Sequence, residues 1–186
     1  MKRMLIKNVF KITIIILFAC LSTYYIYNKF HNERSVDYSS DSLDITFREE
    51  SGDKITIDKV TPLNDSVGLS SKSYEFTIKN NLTEKIGVTI KLVKDEDAIL
   101  EDDCLERSIP EKFIKVAIKE NSKLNEIHTI NELVDETILS TTIDPLEERN
   151  YNVRVWTSSE MSETNEDLHY HGKIIILENK DIETRS

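Results

Sequence analysis

Two cysteines in 186 residues leave little scope for oxidative stapling. Cys20 lies inside the longest apolar run and Cys104 stands alone beyond it, so no disulfide can close within the remainder of the chain. Secreted domains of this size in eukaryotes often carry disulfides, and their absence here points toward a bacterial surface. Glycine is equally scarce, at four residues, too few for a glycine-rich phosphate cradle. Neither HExxH nor GxSxG occurs. Residues 1–30 contain no carboxylate, only Lys2, Arg3, Lys7, Lys11 and Lys29. Setting those five cations aside leaves 19 of the 24 basic side chains against all 34 acidic ones, a formal charge of −15 on the rest. Such an acidic body repels nucleic acid and anionic lipid, which argues against a nucleic-acid partner.

What the N-terminal part has in abundance is apolar surface. Ile12 to Tyr27 is 16 residues, roughly 24 Å as a helix, short for a hydrocarbon core of about 30 Å. Starting at Val9 gives 19 residues, with Lys11 able to snorkel back to the headgroups. Tyr24, Tyr25 and Tyr27 sit at the far end, where an interfacial aromatic belt belongs. The early cations place residues 1–8 in the cytoplasm and send the acidic body outward. An uncleaved transmembrane helix over 9–27 is the expectation, with membrane lipid as its partner. Two alternatives stay open. Leu17-Phe18-Ala19-Cys20 resembles a bacterial lipobox, though Phe18 is bulky, and Cys20-Leu21-Ser22 loosely fits a signal-peptidase site.

Residues 28–42 are polar, Ser-rich and without period, and read as a tether. From 43 to 178 the pattern is β, with 179–186 as a tail. Leu43, Ile45 and Phe47 alternate with polar residues before a Ser51-Gly52-Asp53 turn and a strand through Ile55 and Ile57. Tyr74, Phe76 and Ile78 share one face, Asn80, Asn81 and Thr83 supply a turn, and Ile86, Val88, Ile90 and Leu92 return, which predicts a hairpin. Ile114–Ile118, Tyr151–Val155 and Lys173–Leu177 complete the alternating segments. Thr129 and Glu132 fit a capping box and predict a short helix through Leu133 and Val134. Seven to nine short strands without β–helix–β alternation predict an antiparallel sandwich.

The stretch Ile143, Pro145, Tyr151, Val153, Val155 resembles the tyrosine corner of immunoglobulin-like and fibronectin type III domains. That resemblance implies an immunoglobulin-like sandwich in which the Tyr151 hydroxyl bonds upstream backbone, Pro145 shaping the turn. Over the whole chain, Tyr74–Asn80, Val153–Trp156 and Gly172–Ile174 follow an anchor in an order similar to small exported proteins of Gram-positive and wall-less bacteria. Camelysin/TasA-like matrix proteins have a broadly similar layout. No functional residue of these families is matched, so the resemblance carries over no catalysis.

Candidate chemistry is thin. His169 and His171 have the one metal-like spacing: on a strand, residues i and i+2 share a face. A third ligand would come from Glu160, Glu163, Glu166 or Asp167; otherwise the pair is an exposed strand end. Asp95, Glu96, Asp97, Glu101, Asp102 and Asp103 lack the EF-hand order and read as a solvated acidic loop, whose charge keeps Cys104 a poor nucleophile. Trp156 falls on the face opposite Tyr151 and Val155, either packed as a structural residue or offered to a partner. Asn81-Leu82-Thr83 spells a glycosylation sequon, more simply turn chemistry. The expected protein is a membrane-anchored extracellular β-sandwich with a binding or structural role toward an extracellular protein or the envelope, without enzymatic activity or cofactor. The alternatives are a processed matrix subunit and a metal-dependent hydrolase built on the two histidines.

Overall fold

Branched and aromatic residues alternating with polar ones organise the chain into strands, each burying one face. The computed structural model describes residues 36–49, 51–101, 107–121, 123–161 and 168–179. The strands are β1 (Val36–Ser39), β2 (Leu43–Phe47), β3 (Lys54–Ile57), β4 (Pro62–Leu63), β5 (Tyr74–Asn80) and β6 (Ile86–Lys94). They continue with β7 (Ile114–Glu120), β8 (Lys123–Thr129), β9 (Thr137–Ile143), β10 (Glu148–Ser158) and β11 (Tyr170–Asn179). Two short helices, α1 (Asp65–Gly68) and α2 (Glu96–Glu101), interrupt them.

A seven-stranded sheet runs β1-β2-β5-β10-β7-β8, with β4 lying parallel against the end of β10; a four-stranded sheet runs β3-β11-β6-β9. Every other pairing between these strands is antiparallel, and one isolated parallel bridge joins Ser108 to His169. One apolar cluster joins the inward residues of both sheets, Phe76, Val116 and Val153 from the first and Ile55, Ile90 and Ile174 from the second. The protein is thus mainly β, antiparallel, with its core between two sheets. Across the first sheet, registered pairing builds an aromatic row. Phe47 lies opposite Phe76 and Phe76 opposite Tyr151, with ring centroids 5.3 and 5.4 Å apart. Tyr38 meets the edge of Phe47 at 5.9 Å.

Three local expectations change. The polar stretch 28–42 contains strand β1, held by pairing with β2 and by the Tyr38–Phe47 contact. The predicted hairpin of Tyr74–Leu92 is not one: β5 belongs to the first sheet and β6 to the second. Period-two burial is satisfied equally by facing a neighbour across the core. The crossing is fixed by Asn80, whose side chain is fully buried (0 % exposed). Its Nδ2 donates to the carbonyls of Glu84 (2.8 Å), Ile143 (3.2 Å) and Asp144 (3.0 Å), and its Oδ1 accepts from the Leu82 amide (2.9 Å). The predicted helix after Thr129 is instead two 3-10 turns, Ile130–Glu132 and Val134–Glu136, with no side-chain cap at Thr129. Leu133 is extended between them, and Asp135 and Glu136 have positive φ of 49° and 58°, which stops helical propagation.

The acidic loop is partly helical. Asp95, 6 % exposed, accepts from the Ala98 amide at 3.3 Å and pairs with Lys54 at 3.6 Å, capping α2. Among the described residues no helix is long and apolar enough to cross a membrane. The 9–27 segment, Cys20, Asp102, Asp103, Cys104 and residues 180–186 lie outside the described part.

Candidate functional site

The two histidines do come together. His171 sits in β11 opposite Thr56, and His169 is fixed by backbone bonds to Arg107 (2.8 Å) and Ile109 (2.9 Å). Their rings stack with centroids 6.3 Å apart, and His171 is buried at 7 % exposure. Among the described residues no group of three or more His, Cys, Asp or Glu side chains is placed to hold a metal. Of the candidate third ligands, Glu163, Glu166 and Asp167 lie outside the described part, and Glu160 is exposed in the turn after β10.

Pro145 lies in the turn between β9 and β10, and Tyr151 in β10 just beyond it. Asp144–Glu147 is a tight turn with a Glu147-to-Asp144 backbone bond of 3.1 Å, Pro145 second and Leu146 third at φ 57°. The Tyr151 ring is buried, but its hydroxyl donates to Glu120 Oε1 at 3.4 Å on the neighbouring strand β7. That side-chain acceptor replaces the upstream backbone partner implied by the tyrosine-corner resemblance. The corner is closed by Arg149. Its guanidinium grips both Glu147 oxygens at 2.8 Å and donates to Glu120 at 2.7 Å. The Arg149 bond, with the Asp144 amide, holds the Glu147 carboxyl below its ordinary range. Burial, aided by the Glu120 charge, pushes the Tyr151 phenol up. This cluster ties β7 and β10 of one sheet to Thr141 of the other, 3.4 Å from both Arg149 and Glu120.

Trp156 is buried. It is 2 % exposed on the outer face of β10, closed over by Gly68 at the end of α1. A 2.8 Å ion pair from Lys115 to Asp65 holds α1 in place.

Beyond Trp156, the same outer face opens into a concavity of about 490 Å³. Strand alternation sets its lining, because Asn150, Asn152 and Arg154 are the outward residues of β10 where Tyr151 and Val153 point inward. Register places Glu75 of β5 and Lys119 of β7 on either side of Asn152. Arg48, just past β2, reaches in to Glu75 (3.2 Å) and Asn150 (3.3 Å). Thr77 adds a bond to Asn150 (3.0 Å), and Asn152 donates to Glu75 (3.0 Å). Arg154 bonds Asn152 and the Ser71 carbonyl. What this face can do is donate hydrogen bonds and attract negative charge. None of its residues is singled out by the sequence, since an alternating Asn/Arg row reads as an ordinary solvated face. The one available signal was three polar residues at spacing two beside a buried Tyr-x-Val-x-Val.

No family model, curated protein or solved structure matches this chain.

Proposed function

We propose that the chain is a membrane-anchored, immunoglobulin-like β-sandwich that acts outside the cell as a non-catalytic binding or structural module. Residues 9–27 are its anchor, and an extracellular protein or envelope component is its partner. The structural observation that supports binding is the open polar concavity on the outer face of the seven-stranded sheet. The address rests on the cation-only stretch of residues 1–30 ahead of an acidic body. The test is protease shaving of intact cells followed by membrane fractionation. Loss of the body with retention of an N-terminal membrane fragment is expected; a body protected from protease in intact cells overturns the reading.

One observation favours a second reading, a processed subunit that assembles edge to edge. Strand β3 pairs with β11 only over Tyr170–Lys173, so residues 175–179 have no strand on that side among the described residues. Alongside lies a mostly apolar cleft of about 350 Å³ lined by Tyr38, Ile45, Phe47 and Ile174–Ile176 together with the Asp53–Lys173 ion pair. An unpaired edge next to an apolar slot is where a foreign strand adds. Intact mass separates the two: a cell-derived chain lacking its first twenty-odd residues supports the subunit and sinks the anchor.

A further inference from the structure

The concavity on the outer face is selective in the sign of what it can hold, and this deepens the binding reading above. Its charged lining is Arg48, Lys119 and Arg154 against the single carboxylate of Glu75, a local excess of cations on a strongly acidic body. Hydrogen-bond direction makes the bias sharper. A guanidinium or a backbone amide can only donate, so the amide oxygens of Asn121, Asn150 and Asn152 are fixed as the atoms facing them.

Every side-chain oxygen of the lining amides and of Glu75 already accepts at least one hydrogen bond. Glu75 Oε1 accepts from Asn152 (3.0 Å) and Ser73 (3.4 Å), and Oε2 from Arg48 (3.2 Å). Asn150 Oδ1 accepts from Thr77 and Arg48 at 3.0 and 3.3 Å, and Asn152 Oδ1 from Arg154. Asn121 Oδ1 accepts from the Asn150 amide at 3.3 Å. Among the described residues, the lining groups that make no hydrogen bond at all are N–H donors, among them the Nδ2 groups of Asn121 and Asn150, the Nη2 of Arg154 and the ammonium of Lys119. Lys119 has no ion pair among the described residues.

We propose that this concavity binds a carboxylated sugar, the carboxylate on Lys119 and Arg154 and the hydroxyl oxygens on the asparagine amides. Neutral donors beside cationic ones suit a ligand whose acceptors are likewise of two kinds. Phe76 and Tyr151 turn their rings to the core, leaving no stacking platform for nucleic-acid bases. The −15 body disfavours a long polyanion, whereas one carboxylate among hydroxyls carries little repulsion. The volume lies within the ~300–1,000 Å³ typical of small-molecule sites.

The test is saturation-transfer NMR on the full chain in neutral detergent micelles, with D-glucuronate, D-glucose and inorganic phosphate as probes. Glucuronate is expected to bind at least about fivefold tighter than glucose, the gain from one charge-assisted bond in open solvent. Raised salt and Lys119→Gln should each erase that margin, and Lys119→Arg should keep it. Lys119→Gln removes a side chain that makes no ion pair among the described residues, so melting serves as the check that it folds. Equal binding of glucose and glucuronate, or an unaltered margin in Lys119→Gln, overturns the proposal. Phosphate displacing glucuronate at equal concentration overturns its sugar part, leaving a bare oxyanion site. The readout uses purified protein, so it stands or falls apart from the surface-display experiment.

Discussion

Gly68 lies flat on the indole of Trp156: a Cβ at residue 68 would stand 2.5 Å from the indole nitrogen and closer still to Cδ2 and Cε2. Only glycine lets α1 come down this far onto β10. The contact seals one end of the outer face and buries the chain's single tryptophan. Gly68→Ala must lift α1 or turn the indole, at a cost of about 1–3 kcal/mol. That corresponds to a melting temperature lower by about 2–4 °C per kcal/mol for a chain of this size. Trp156 emission, blue-shifted and shielded from iodide in the parent protein, should move to the red. Unchanged emission and melting in the variant would show that α1 does not rest on the ring.

Asn80 fastens the passage from one sheet to the other through one side chain bonded to three carbonyls and one amide. Asn80→Ala strands these groups where water cannot replace the partner, and the expected loss is about 3 kcal/mol. Asn81→Ala, one residue on and part-exposed, should cost no more than ~0.5 kcal/mol. Urea titration of both variants measures the contrast. Similar midpoints would remove Asn80 from its bridging role.

The same residue shows where sequence reading stops. The alternation of Tyr74–Ile78 and of Ile86–Leu92 marks both strands and their buried faces, and both are found as expected. Period two says that a face is covered without saying by what, so a partner beside the strand and one across the core look alike. Asn80 itself reads as turn chemistry, and its bonds to Ile143 and Asp144 arise only when a distant strand arrives. The outer concavity is hidden for a related reason. Glu75, Asn152 and Lys119 become neighbours through the order β5-β10-β7, which no local pattern encodes. Trp156 was legible as an opposite-face residue, but its cover comes from Gly68, far upstream.

Tyr151 and Arg149 separate two accounts of the corner after β9. A hydroxyl bond to upstream backbone would make Tyr151→Phe costly. The observed bond is a long one of 3.4 Å to Glu120, so Tyr151→Phe should lose under about 1 kcal/mol while the ring stays packed on Phe76. Arg149→Met removes four bonds and leaves two part-buried carboxylates facing one another, at about 2–3 kcal/mol. Denaturant unfolding of the two variants checks the order. A Tyr151→Phe loss equal to that of Arg149→Met would restore the backbone-bonded corner.

The His169–His171 pair offers a metal two imidazoles, and two ligands hold zinc weakly. Chelator treatment of the purified full chain should leave its melting temperature unchanged, and elemental analysis should find no stoichiometric zinc. A drop of several degrees on adding EDTA, reversed by zinc, would bring in a third ligand and reopen hydrolase chemistry.

Glu147 makes the corner acid-sensitive. Arg149 and the Asp144 amide hold its folded-state pKa below the ordinary 4.5, so the folded chain binds this proton less readily than the unfolded one. A depressed carboxylate stabilises fully above its unfolded pKa, and that contribution is lost as pH falls from about 4.5 through the lower folded value. Melting temperature should therefore decline across that window. In Glu147→Gln the ion pair is absent at every pH. That variant should start lower at neutral pH and decline less steeply, the two curves converging in acid. Parallel curves over the whole range would mean that Arg149 finds its compensation in Glu120 alone.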